Sequence, residues 1–157
     1  MTRALLVDLG KVLVAFDHQV TCDRLAEATG VPAGRLRPVL FGDLEAEFDR
    51  GRLGPAAFFR ACEERAGLPR LPDGLWESAW RDIFHPLPDA IAALARVDRK
   101  VRRVLVSNTN ELHWEGVLRV FDPRGLLDDV VLSFRVGAVK PEPAFWEAAL
   151  AAAGYAA

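Results

Sequence analysis

Three short polar stretches carry the residue types that chemistry needs. The first is Asp8-Leu9-Gly10-Lys11, the second Ser107-Asn108-Thr109-Asn110, and the third "GAVKPEP", which contains Lys140. A carboxylate, a hydroxyl and an ammonium brought together form a phosphate-handling site. The carboxylate attacks phosphorus, while the hydroxyl and the lysine hold phosphoryl oxygens and offset the charge that builds up. Gly10 allows a sharp turn and keeps the backbone open to a ligand or metal. Taken singly, each stretch is ordinary. Asp8 alone reads as a loop cap, Ser107 and Asn108 as turn residues, and Lys140 as a solvated lysine. Their order, each beside an apolar run, is what gives them weight.

Those runs are the elements that must position the three stretches. Ala4 to Asp8, Val101 to Ser107 and Asp129 to Phe134 are apolar without alternation, as strands covered on both faces are. Helical patterns lie between them. "DRLAEATG", "EAEFDRG" and "PAAFFRACEERAG" each end on the glycine expected at a helix C-terminus, namely Gly30, Gly51 and Gly67. Pro55 and Pro88 suit first-turn positions. "DAIAALARV" leads into the second strand, and "PAFWEAALAAAG" forms a last helix. This order predicts an α/β fold, a Rossmann-like parallel sheet whose ligands bind beyond the carboxyl ends of the strands. The stretch from Phe16 to His85 is too long for one crossover and reads as an inserted helical cap. Residues 1–15 and 86–157 are then the core, and 16–85 the cap.

Composition excludes several classes. Apolar residues make up 51% of the 157, enough for a core, and the formal net charge is -2. Seventeen arginines and three lysines are scattered without a basic stripe, so nucleic acid is not an expected partner. No stretch approaches the roughly 18 apolar residues that span a membrane. Asp8 and Lys11 interrupt the N-terminal apolar run, which is therefore no signal peptide. Cys22 and Cys62 have no paired spacing and read as buried or free thiols. The expectation is a soluble, cytoplasmic protein. No serine sits in a G-x-S-x-G elbow, and His18, His85 and His113 show no zinc-ligand spacing with either cysteine. Trp76, Trp80, Trp114 and Trp146 read as packing residues.

The motifs "VDLGKVL", "VLVSNTN" and "GAVKPEPAFW", in that order around a helical cap, resemble motifs one to three of the haloacid dehalogenase (HAD) superfamily. Within it they are most similar to bacterial sugar-phosphate phosphatases. The resemblance covers essentially the whole chain. It implies that Asp8 is a nucleophile forming an aspartyl-phosphate, and that Ser107 and Asn108 bind the phosphoryl group. It implies that Lys140 holds Asp8 and the phosphate together. Mg²⁺ is the implied cofactor, with Asp8 and the Gly10 carbonyl as ligands. The implied substrate is a small phosphorylated metabolite.

The sequence departs from the family pattern twice. Most phosphatases of the family carry a second aspartate, an acid/base, where Gly10 stands, and glycine cannot transfer a proton. His18 is the nearest replacement in sequence, and Lys11 stays protonated when solvated. The family's fourth motif, an acidic pair after a fourth strand that completes the Mg²⁺ site, does not follow Gly154. The resemblance therefore implies a version truncated before motif four, with strands four and five missing. Asp128 and Asp129 lie at the opposite rim and do not substitute. Asp43, Glu45, Glu47 and Asp49 read as a solvated face of the cap, from which a cap carboxylate could swing over the site. Strand one becomes an apolar edge open to pairing, with self-association as the expected consequence. Two other functions stay open: a non-catalytic remnant or interaction protein that pairs through that edge, and a haloacid dehalogenase, which uses the same aspartate without metal.

Overall fold

A computed structural model describes residues 3–155. Met1, Thr2, Ala156 and Ala157, the outer ends of the sequence-based core segments, lie outside the described residues. The fold is α/β. Strands β1 (Arg3–Val7), β4 (Val101–Ser107) and β5 (Asp129–Leu132) form a parallel sheet in the order β1-β4-β5. Val7 lies opposite Leu105, and Ser107 opposite Leu132, so the three carboxyl ends share one rim. β4 is central and its last five residues are buried. Its side chains alternate between two cores, as strand geometry demands. Leu105 packs with Trp114 and Val117, whereas Val104 and Val106 pack with Phe145 and Ala149. Trp114 and Val117 belong to α7 (Glu111–Val120), and Phe145 and Ala149 to α9 (Pro143–Ala152). Helix α6 (Pro88–Ala95) adds Leu94 to the first core and starts on its proline. One face of the sheet is thus covered by α6 and α7, the other by α9.

Two strand ends differ from the sequence expectation. β1 stops at Val7, one residue before Asp8. β5 stops at Leu132, because Ser133 begins a short helix, α8 (Ser133–Val136), closed by Gly137 at φ 80°. A further element escaped the periodicity altogether. β2 (Val14–Phe16) pairs antiparallel with β3 (Phe84–Pro86), forming a two-stranded stalk on which the chain leaves the sheet and returns. Three residues per strand are too few to show a period of two.

Between β2 and β3 lie five helices: α1 (His18–Thr29), α2 (Ala33–Leu40), α3 (Asp43–Asp49), α4 (Pro55–Ala66) and α5 (Asp73–Arg81). Asp17 caps α1 by accepting the Gln19 amide at 2.8 Å, and Gly30 ends it at φ 73°. These helices enclose their own core around Phe48, Phe58, Trp76 and Trp80. Its one buried carboxylate, Glu63, accepts bonds from the Leu71 amide, Trp76 Nε1 and Arg60. Cys22 and Cys62 are buried and unbonded to each other, and burial pushes the Cys62 thiol up to about 12. Gly51 seats the helical cap on the sheet layer. Its φ is 69°, and a Cβ there would lie 2.3 Å from the Phe134 carbonyl of α8. The next contact is ionic: Arg50 donates to Glu142 Oε1 at 2.5 and 3.2 Å.

Candidate active site

Asp8 follows β1 at the rim, where the chain turns sharply. The Leu9 carbonyl accepts the Leu13 amide at 2.8 Å and the Val14 amide at 3.1 Å. Lys11 takes φ 61°, the one non-glycine residue at positive φ among the described residues. The turn returns the Leu9 amide to Asp8 Oδ1 at 2.8 Å. Lys140 Nζ, 132 residues away in sequence, donates to Asp8 Oδ2 at 2.8 Å and to the Val106 carbonyl at 3.2 Å. The carboxylate is therefore held at both oxygens yet remains 46% exposed, open to a ligand.

Ser107 ends β4 and is buried at the same rim. Asn108 is exposed, and its amide braces the lysine loop. Its Oδ1 accepts the Lys140 amide at 2.7 Å, and its Nδ2 donates to the Lys140 carbonyl at 3.1 Å. Ser133, not singled out by the sequence, fixes the loop after β4 from α8. Its Oγ accepts the Thr109 amide and donates to the Thr109 carbonyl. Positions 8, 107, 108 and 140 thus converge, with Gly10 alongside. Asp128 and Asp129 sit at the other end of β5, where Asp128 accepts the Arg103 amide and is held below the usual carboxylate range.

A cleft of about 160 Å³ opens between this rim and the helical cap. Leu9, Gly10, Ser107 and Asn108 line one wall; His18, Glu45, Asp49 and His113 line the other. This corrects the reading of α3 as a solvated acidic face. Asp43 is exposed, but Glu45 and Asp49, one turn apart, face the cleft. The i,i+4 spacing puts them on one helical face, but Asp43 and Glu47 share that spacing, so it does not single them out. Burial is the main cause of both shifts. It pushes Glu45 up to about 8, helped by the nearby Asp49 charge and opposed by Arg37. It pushes Asp49 up to about 6 against the Asn110 amide, which donates to Asp49 Oδ1 at 2.8 Å.

The histidines respond in the opposite sense. His18 stacks on Phe41 at 4.1 Å, Phe41 on Trp80 at 5.0 Å, and Trp80 on His113 at 5.1 Å. Burial lowers His18 to about 4 and His113 to about 3, so both are neutral at pH 7. Asn110 Oδ1 accepts the His113 amide and Trp80 Nε1, which fixes the orientation of the side chain. Its Nδ2 therefore donates to His113 Nδ1 at 3.1 Å, and the imidazole proton resides on Nε2. That Nε2 is buried without a hydrogen-bond partner.

Glycine at position 10 also has a steric reason. A Cβ there would lie 2.8 Å from Phe16 Cε1. The ring of β2 fills the space that a side chain at position 10 would enter.

Mg²⁺ takes near-octahedral oxygen ligation. Asp8 and the Gly10 carbonyl supply two donors, and one Asp8 oxygen already faces an ammonium. No cluster of three or more His, Cys, Asp or Glu suited to a metal occurs among the described residues. These residues do not complete a Mg²⁺ site.

With this geometry in view, the architecture can be placed: it is the fold of HAD family enzymes. No protein-family model matches the chain. Among solved structures, the HAD family enzyme bt-2542 from Bacteroides thetaiotaomicron, in complex with magnesium and inorganic phosphate, superposes with a TM-score of 0.82 at 23% identity. The match covers 99% of this chain and 80% of that one. A predicted HAD-like family hydrolase from Porphyromonas gingivalis gives 0.78 at 20% identity, covering 98% and 77%. L-2-haloacid dehalogenase from Xanthobacter autotrophicus, with chloropropionic acid covalently bound, gives 0.65 at 19% identity, covering 98% and 66%. No helix of the described residues is long and apolar enough to cross a membrane.

Proposed function

We propose that the chain is a HAD-like phosphohydrolase that cleaves a small phosphorylated metabolite through an aspartyl-phosphate on Asp8. The observation that carries the reading is the 2.8 Å pair of Asp8 and Lys140 at the carboxyl rim of a parallel sheet, with Ser107 beside it. An oxygen of Asp8 attacks phosphorus, and the bond from phosphorus to the leaving oxygen breaks. Water then attacks phosphorus, and the Asp8–phosphorus bond breaks with its electron pair returning to the carboxylate. Lys140 offsets charge on the phosphoryl oxygens, Ser107 donates its hydroxyl to one of them, and Asn108 keeps the lysine loop in place. That the bt-2542 structure is a complex with magnesium and inorganic phosphate supports a phosphate-handling reading of the fold.

Mg²⁺, when bound, would lie at Asp8 and the Gly10 carbonyl and offset phosphate charge. Phosphate and water would have to provide its other ligands, so no step here depends on it. The dehalogenase reading has weaker support, since the haloacid dehalogenase superposes less closely than bt-2542. The test is phosphate release from p-nitrophenyl phosphate. The parent protein releases it and Asp8→Asn does not; turnover that survives Asp8→Asn would reject the reading.

A second reading rests on β1. Among the described residues it pairs only with β4, and Leu5 and Val12 are 37% and 41% exposed beside it. An apolar edge of this kind recruits another strand, and a second copy of the chain supplies one.

A further inference from the structure

Catalysis as proposed needs a proton for the leaving oxygen, and position 10 is a glycine, where a Cβ would lie 2.8 Å from Phe16 Cε1. The acid must come from elsewhere on the cleft. Four titratable side chains line the opposite wall: His18, Glu45, Asp49 and His113. His113 accepts at Nδ1 from Asn110 and is enclosed by Trp80 and Phe84. His18 lies flat against Phe41 and, being neutral at pH 7, lacks a labile proton of useful acidity. Of the two carboxyls in the cleft, Asp49 is bonded to Asn110, and Glu45 has no hydrogen-bond or ion-pair partner among the described residues.

We propose that Glu45, delivered by the cap helix α3, is the general acid and base of the reaction, replacing the group absent at position 10. The proposal rests on the aspartyl-phosphate reading and supplies its missing proton. A second feature of the same cleft indicates a ligand there. His113 is 93% buried and leaves its Nε2–H without an acceptor, a cost the fold bears unless something binds. The oxygen of a leaving group, or of the alcohol behind it, completes that bond opposite Glu45.

As Asp8 attacks, the electron pair of the breaking phosphorus–oxygen bond takes the Glu45 proton, and a neutral alcohol leaves. Glu45, now a carboxylate, takes a proton from the incoming water as its oxygen bonds to phosphorus. Asp8 is released as a carboxylate, and Glu45 is again protonated. The resting proton is held in place by burial and by Asp49, while Arg37 of α2 opposes it. His18 of α1 and His113 of α7, neutral here, do not disturb it. A carboxyl near 8 is matched to work at neutral pH.

The experiment compares phenyl phosphate, whose leaving group needs a proton, with p-nitrophenyl phosphate, whose leaving group does not. E45Q is expected to lower kcat on phenyl phosphate by about 100-fold or more. It is expected to retain the first-turnover burst of nitrophenolate, which also reports that the variant is folded. The parent rate on phenyl phosphate is expected to fall as pH rises through about 8, a limb that needs no variant to observe. Equal losses in the first-turnover rate on both esters, loss of the burst in a variant that melts like the parent, or no alkaline limb in the parent would overturn the assignment. Turnover by the parent, none by Asp8→Asn, and unimpaired phenyl phosphate cleavage by E45Q would reject Glu45 alone. No product from the parent with either ester would reject the aspartyl-phosphate reading, and Glu45 with it.

Discussion

The sheet rim beside the cleft and the cap side of the cleft solve opposite electrostatic problems. On the sheet rim, Asp8 and Lys140 are opposite charges that satisfy each other at 2.8 Å and remain partly exposed. On the cap wall, two carboxyl groups one turn apart are half-buried near two imidazoles that desolvation keeps neutral. The rim is built to hold fixed charge. The cap is built to hold protons at unusual affinities. The difference teaches that a site can separate charge stabilisation from proton transfer by assigning each to a different layer of the fold.

Lys140→Met breaks the rim wall and gives the largest effect after the loss of Asp8 itself. Removing one preorganised charge from a transition state costs about 10²–10³ in kcat. The pair is partly exposed, so the same change should cost less than about 1 kcal/mol of stability. A large fall in kcat with a nearly unchanged melting temperature separates catalysis from folding. Comparable losses in both would make Lys140 a structural residue.

The cap wall is sharpened by stability against pH. Glu45 binds its proton more tightly folded than unfolded, so its contribution is present below about 4.5 and is lost as pH rises through about 8. His18 and His113 behave the other way. Their neutral forms are favoured in the fold, so stability is lost as pH falls from 6.5 towards about 4. Between pH 6.5 and 8 Glu45 dominates, and the melting temperature should decline. E45Q should flatten that decline, whereas Lys140→Met should leave it intact. A decline unchanged by E45Q would separate Glu45 from the buried proton.

The smallest expected effect lies outside both walls. Leu5→Lys places a charge on the open β1 edge and should shift any self-associated protein towards monomer on a sizing column, with the activity of the site preserved. An unchanged elution volume, with the parent already a monomer, would remove the edge-pairing reading.

What the sequence disclosed follows from where the information resides. Asp8, Ser107 and Lys140 were legible because apolar runs place them at one rim of a parallel sheet. The fold class was legible for the same reason, and Gly30 and Gly67 ended their helices as expected. The cap side of the site was not legible. Glu45 and Asp49 look like Asp43 and Glu47 until the packing of Phe48 and Trp80 decides which side of α3 is covered. Desolvation is a property of the assembled cleft, and no spacing along α3 records it. The exclusion of a side chain at position 10 depends on Phe16, which reaches it only through the β2–β3 stalk. The side chain of Asn108 holds the Lys140 backbone, a partnership 32 residues apart in sequence that no local pattern records.

The most direct test of the central claim is the mass of the protein quenched in acid during turnover of p-nitrophenyl phosphate. The account predicts one added phosphoryl group, located on Asp8 by peptide mapping and missing in Asp8→Asn. Turnover without any phosphoryl-protein, or a label on a different residue that persists in Asp8→Asn, would contradict it.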